Sequence, residues 1–299
     1  MLTARPVSSI IVSMNRLTRE ERAQVLQMMA EGVSLRAISR MTGISRNTGL
    51  KLLADAGMAF ADYQDRALMN LSCKRIQVDE IWAFCYAKEK NVPMAKAAPE
   101  QAGDLWTWTA IDADTKLVPS WFIGNRGSED AILFMGDLAK RLTHRVQLTS
   151  DGHRAYLEAV EGAFGGDVDY AQLVKLYGAV SDSTKGRYSP AECVGAHKHR
   201  VEGNPDPKHV STSFAERQNL NMRMGMRRFT RLTNAFSKKA ENHAYAIAVY
   251  FMHYNFVRIH QTLKITPAMA AGVTDKLWEM SDMVKVLEGW EKVQGGKHG

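Results

Sequence analysis

Residues 75–84, RIQVDEIWAF, decide the fold. The run is rich in Ile, Val, Trp and Phe and holds no glycine or proline, so it reads as a β-strand, with Asp79 and Glu80 set inside it. Outward from it, Trp106–Asp112 reads as a second strand, Asp112 to Lys116 as a turn, and Leu117–Ile123 as a third strand. Ser128 opens a helix whose Ala131, Phe134, Leu138 and Leu142 step by three and four. A fourth strand, Arg145–Thr149, leads to Asp151, and a helix from Arg154 to Phe164 follows.

Three meandering strands, a helix and a strand follow the order of the ribonuclease-H-like α/β fold, which this stretch resembles. By that analogy of fold the first and fourth strands lie side by side, and Asp79 and Asp151 become neighbours. The expected class is α/β, a mixed sheet flanked by helices over residues 74–272, behind an all-α helix-turn-helix. Residues 178–212 are rich in Ser, Gly, Pro, His and Lys without periodicity, and are expected as a long inserted loop. Cys193, His197 and His199 within it lack an obvious fourth metal ligand. A basic helix begins near Ser213. Phe236, Ala240, Ala244, Ile247, Phe251 and Tyr254 form a core stripe. A last amphipathic helix, about Asp275–Trp290, covers the core or makes a dimer contact.

Residues 15–58 form the module ahead of the sheet. Thr18 and Glu21 make a capping box, Ser34 caps a second helix, Gly43 supplies a turn, and Ser45 caps a third helix expected from Arg46 to Ala56, closed by Gly57. Two short helices about a glycine turn are the helix-turn-helix pattern, whose last helix enters the major groove. Arg46, Asn47, Thr48 and Lys51 would reach phosphates or base edges. Over residues 1–58 eight Arg/Lys stand against four Asp/Glu, which a solvated basic face would also explain. Residues 1–14 are expected as a disordered extension and 59–73 as a linker.

The net charge of +7 makes a polyanionic partner plausible without naming it. Three cysteines with no CxxC pair argue against a disulfide framework and for a cytoplasmic protein. Neither a secretion signal nor an apolar run of membrane-spanning length is present.

Three acidic residues stand out: Asp79, Asp151 and Glu216. Carboxylates hold Mg²⁺ together with substrate phosphates, and paired ions clamp the oxygens of an in-line phosphodiester displacement. Each also has a bland reading. Asp79 and Glu80 face opposite sides of a strand, so only one of them is expected at a shared metal. Asp151-Gly152 is also a turn signal, and Ser213 to Glu216 is also a capping box. Asp112 and Asp114 sit in a hairpin turn and rank lower. From Ser213 to Lys239 seven cations accompany Glu216 as the one acid, which suits a surface that meets phosphates.

Five stretches carry a resemblance: QVDEIWAFCYAKEKNVP, WTWTAIDADTKLVPSW, LTSDGHRAYLEAVEGAFG, SFAERQNLNMRMGMRRFTRLTNAFSKK and HYNFVRIHQTLKITPAMAAG. In this order they resemble bacterial insertion-sequence transposases of the DDE type, in particular the IS1 family, from about Asn15 to Trp278. The resemblance implies a catalytic and metal-holding triad at Asp79, Asp151 and Glu216, with Mg²⁺ (or Mn²⁺ in its place). It also implies strand cleavage and transfer at terminal inverted repeats of double-stranded DNA and into target DNA, by a homo-oligomer. Arg217, Arg223, Arg227 and Arg228 would position phosphates. The cysteine-rich zinc finger that opens many such proteins is absent. Two other readings stay open: a helix-turn-helix regulator without catalysis, and a recombinase using a nucleophilic tyrosine or serine, for which Tyr254 with His253, Arg258 and His260 offers the residue types.

Overall fold

The computed structural model describes residues 17–177, 193–230 and 234–295. The expected extension 1–14, residues 178–192 of the expected loop, and Arg231 lie outside the described residues.

Side-chain caps set the first helices. Thr18 and Glu21 form a reciprocal capping box at the start of α1 (Arg19–Ala30), Ser34 caps α2 (Leu35–Thr42), and Ser45 caps α3 (Arg46–Ala67). Gly43 ends α2 in the left-handed region at φ 74°, which a glycine adopts without a Cβ clash.

The helix expected to stop at Gly57 runs ten residues further, to Ala67. Gly57 is a contact rather than a terminator: a Cβ there would sit 2.3 Å from the Cβ of Tyr245. The expected linker 59–73 is therefore largely helix, with Phe60 and Gln64 buried. Gln64 donates to the carbonyl of Ala248, and Arg141 donates to the carbonyls of Asp65 and Leu68 where α3 ends. A cation there answers carbonyls that the helix leaves unpaired.

Six strands follow among the described residues: β1 (Arg75–Cys85), β2 (Gly103–Asp112), β3 (Trp121–Gly124), β4 (Val146–Asp151), β5 (Val168–Tyr177) and β6 (Cys193–Glu202). They form one mixed sheet in the order β3-β2-β1-β4-β5-β6. β4 is parallel to both β1 and β5, and the other pairs are antiparallel. The helices are α4 (Ser128–Arg141), α5 (Ala155–Phe164), α6 (Ser213–Gly225), α7 (Ala240–Phe256), α8 (Pro267–Ala270) and α9 (Met280–Gly295).

Two expectations about strands are corrected. Residues 193–202, expected within a loop, pair along β5 with Lys198 opposite Leu173. β6 is largely exposed on both faces, so backbone pairing holds it and no apolar alternation marks it. The third strand begins at Trp121, not Leu117. Pro119 has no N–H for a ladder, and Val118 exchanges both backbone hydrogen bonds with the Asn255 amide of α7.

One apolar cluster runs from Leu26 and Phe60 of the first helices through Val78 and Trp108 to Phe134, Tyr156 and Leu287. The N-terminal helices thus share a core with the sheet. α9 covers that core through Met280, Met283, Val284 and Leu287. A second cluster lies on the other face of β1, where Ile81 and Ala83 meet Ala215, Met222, Ile247 and Phe251. Among the described residues no helix is long and apolar enough to cross a membrane.

Candidate functional site

The site forms where β1 and β4 part. Their last parallel pair is Gln77 with Thr149, and Asp79 and Asp151 each lie two residues beyond it. One oxygen each from Asp79, Glu80 and Asp151 lies within 4.8 Å of the others. Such like charges in a sparsely hydrated place oppose ionisation. Burial, then the Glu80 and Asp151 charges, push the Asp79 carboxyl up to about 7, against a smaller lowering by the Glu80 N–H that bonds its Oδ1.

Glu80 lies on the opposite face of β1 from Asp79. Its Oε1 pairs with Arg126 at 2.6 Å, and its Oε2 accepts from the buried Tyr156 hydroxyl at 3.0 Å. Arg126 also stacks over Trp106, 4.7 Å from the ring centre. Trp108, Phe134 and Tyr156 form the aromatic floor.

α6 is docked on the Asp79 face by β1 itself. Gln77 Oε1 accepts the N–H groups of Phe214 and Ala215, two donors that the first turn of a helix leaves unpaired. One turn on, Asn219 Nδ2 donates to Asp79 Oδ2 at 2.8 Å. Asn219 is 5% exposed, and its Oδ1 is buried with no hydrogen-bond partner. Glu216 stands three residues before Asn219, on the same helical face, but outside the carboxylate set. Its Oε1 is held by Lys175 Nζ at 2.6 Å and by the Thr212 hydroxyl.

The structure thus brings Asp79 and Asp151 together, adds Glu80 to them, and leaves Glu216 beside them on an internal cation. The expectation that only one of Asp79 and Glu80 could reach a shared metal is corrected: at the opening between β1 and β4 carboxylates from both faces converge. Asn219, Lys175, Arg126 and Tyr156 escaped the sequence reading. Asn219 alone carried a signal, its i+3 spacing from Glu216. All the candidate ligands offer oxygen, the donor set of a hard divalent cation. A cation among Asp79, Glu80 and Asp151 would offset their repulsion, and this acidic group could hold one.

The candidate DNA-contacting residues divide. Arg46, Asn47 and Lys51 are exposed on the first turns of α3, with Lys51 3.5 Å from Asp55. Thr48 hydrogen-bonds Ser45 through its hydroxyl and its N–H, so it serves the helix cap. Arg217 and Arg227 are exposed, and Arg223 is half-buried. Arg228 is a correction. Its guanidinium is half-buried, donating to Ser237 Oγ and the Asn242 carbonyl, and burial lowers it to about 10. It anchors the start of α7 instead of facing phosphates. Tyr254 is buried with its hydroxyl on the Lys116 carbonyl, and burial pushes that hydroxyl up, a poor setting for a nucleophile.

Residues 16–55 match the family model of a homeodomain-like domain. The match spans α1, α2 and the first turns of α3, and a helix-turn-helix of this kind suggests DNA binding. No curated protein matches the chain.

Proposed function

We propose that the chain is a DDE-type transposase with a ribonuclease-H-like catalytic unit, which cleaves DNA at the ends of an element and transfers the strand into target DNA. One observation carries the reading: Asp79 and Asp151 meet at the diverging ends of two parallel strands, with Glu216 on the adjoining helix. The homeodomain-like module supports a DNA partner, and the exposed Arg217 and Arg227 extend a basic surface from α6.

Asp79 and Asp151 would hold Mg²⁺ or Mn²⁺, with Glu216 completing the set. When bound, the divalent cation supplies positive charge to an in-line phosphodiester displacement. The chain's own residues do the rest. Asn219 orients Asp79, Arg126 and Tyr156 hold Glu80 beside it, and Arg217 and Arg227 position phosphates without reading sequence.

The test incubates the full chain with labelled element ends, with Mg²⁺ and with EDTA. New 3′-hydroxyl ends that need Mg²⁺ are expected, and they vanish in Asp79→Ala and Asp151→Ala while end binding persists. Binding to DNA with no Mg²⁺-dependent nicking in the unmutated protein would favour the second reading, a regulator, which the homeodomain-like match alone also fits.

A further inference from the structure

Glu216 is displaced from the other carboxylates by a side chain of the chain itself. Lys175 projects from β5 and places its ammonium 2.6 Å from Glu216 Oε1, while Thr212, at the start of α6, donates to the same oxygen. Asn219, three residues on, already touches Asp79. Residues at i and i+3 of a helix lie about 5–6 Å apart at Cβ, so Glu216 stands one helical turn from the residue that touches Asp79. The Oδ1 of Asn219, on the same amide that touches Asp79, is buried without a hydrogen-bond partner, an unsatisfied polar atom at this site. The Glu216 charge is also near enough to act on Asp79, whose carboxyl it raises.

We propose that Lys175 is a positioning residue that holds Glu216 away from Asp79 in the cation-free protein and yields it to a divalent cation. The inference rests on reading Asp79 and Asp151 as cation ligands. An ammonium and a divalent ion compete for one carboxylate, so binding the ion breaks the Lys175–Glu216 pair. The pair is partly exposed on both sides, 32% for Lys175 and 42% for Glu216, so its cost to cation binding is modest.

Calorimetric titration of the full chain with MnCl₂, without DNA, tests this. Lys175→Ala is expected to tighten Mn²⁺ binding by roughly fivefold, and Lys175→Arg, which keeps a cation on Glu216, to bind near the unmutated level. In a Glu216→Gln background the Lys175→Ala effect is expected to vanish, as a double-mutant cycle requires of two groups acting on each other. Unchanged or weaker Mn²⁺ binding by Lys175→Ala overturns the proposal, as does an equal tightening in the Glu216→Gln background, which would make Lys175 a mere background charge. If Mn²⁺ binding is lost in Asp79→Ala yet indifferent to Lys175, the cation site stands and only this inference fails. If the unmutated chain takes up no Mn²⁺, both fall.

Discussion

Two buried polar knots lie along β1 and handle charge in opposite ways. At its middle, Asp79 and Glu80 meet Asp151, three like charges at an opening in the sheet. At its far end, beside Cys85, the Arg228 guanidinium is held by the neutral oxygens of Ser237 and Asn242, and Ser237 in turn bonds Nδ1 of the fully buried His243. The second knot gives its cation neutral acceptors within the fold. The first pairs Glu80 with Arg126 yet still leaves repulsion on Asp79. A charge that a fold encloses and satisfies is architecture, whereas a like-charged group left at an opening is poised for a counter-ion from outside.

The largest effect expected separates activity from stability. Asp79→Asn and Asp151→Asn should lower Mg²⁺-dependent cleavage by roughly a thousandfold or more, while raising or leaving unchanged the melting temperature in EDTA, because each relieves repulsion. Arg228→Ala should do the reverse in stability, costing about 1–3 kcal/mol through buried oxygens left unpaired, with Mn²⁺ affinity untouched. Melting curves and calorimetry on the same three variants check both halves, and a destabilised Asp79→Asn would erase the contrast.

Next in size is the dependence of the cation's effect on pH. With its carboxyl raised to about 7, Asp79 is protonated in the fold across a window where the unfolded chain has already released the proton. The native state then binds more protons, so without metal stability falls as pH rises through that window. Mg²⁺ reverses this by favouring the ionised form. The Mg²⁺-induced rise in melting temperature should therefore be larger at about pH 8 than at about pH 6, read by thermal scans with Mg²⁺ and with EDTA.

The far knot has the opposite sign. Burial, with Arg228 nearby, pushes His243 down to about 3, so it stays neutral in the fold while its unfolded form charges below the ordinary histidine value of 6.5. Its contribution is complete above that value and is lost as pH falls below it. At about pH 5 the loss is about 2 kcal/mol. His243→Gln, which cannot protonate, should flatten this part of the acid limb in chemical denaturation, and an unchanged slope would show the imidazole is not the titrating group.

What the sequence disclosed follows from the range of each signal. The helix-turn-helix was readable because Thr18, Ser34, Gly43 and Ser45 act on backbone a few residues away. Asp79 and Asp151 were named by fold analogy, and their meeting depends on a parallel pairing between segments about 70 residues apart that no local pattern encodes. Gly57 misled because a glycine that admits Tyr245 looks in sequence like one that ends a helix. β6 was hidden because a strand exposed on both faces has no apolar rhythm. Glu80 was set aside because alternation treats a strand as a flat divider, and β1 has an opening beside it where β4 parts.

The smallest effect distinguishes arginines that the sequence could not. Arg217, Arg227 and Arg228 lie in one basic run, yet the first two are exposed and the third is half-buried and bonded within the fold. Each cation that contacts a phosphate releases a condensed counter-ion, which steepens the fall of affinity with salt. Arg217→Ala and Arg227→Ala should therefore each reduce the logarithmic salt slope of DNA binding by about one. Arg228→Ala should leave the slope where it is and only soften the melt, since the Nη1 group it removes donates within the fold to Ser237 and Asn242. Fluorescence anisotropy across a salt series measures all three. A slope that falls equally for Arg228→Ala would place that guanidinium on the DNA, and its bonds to Ser237 and Asn242 would have to open to let it reach.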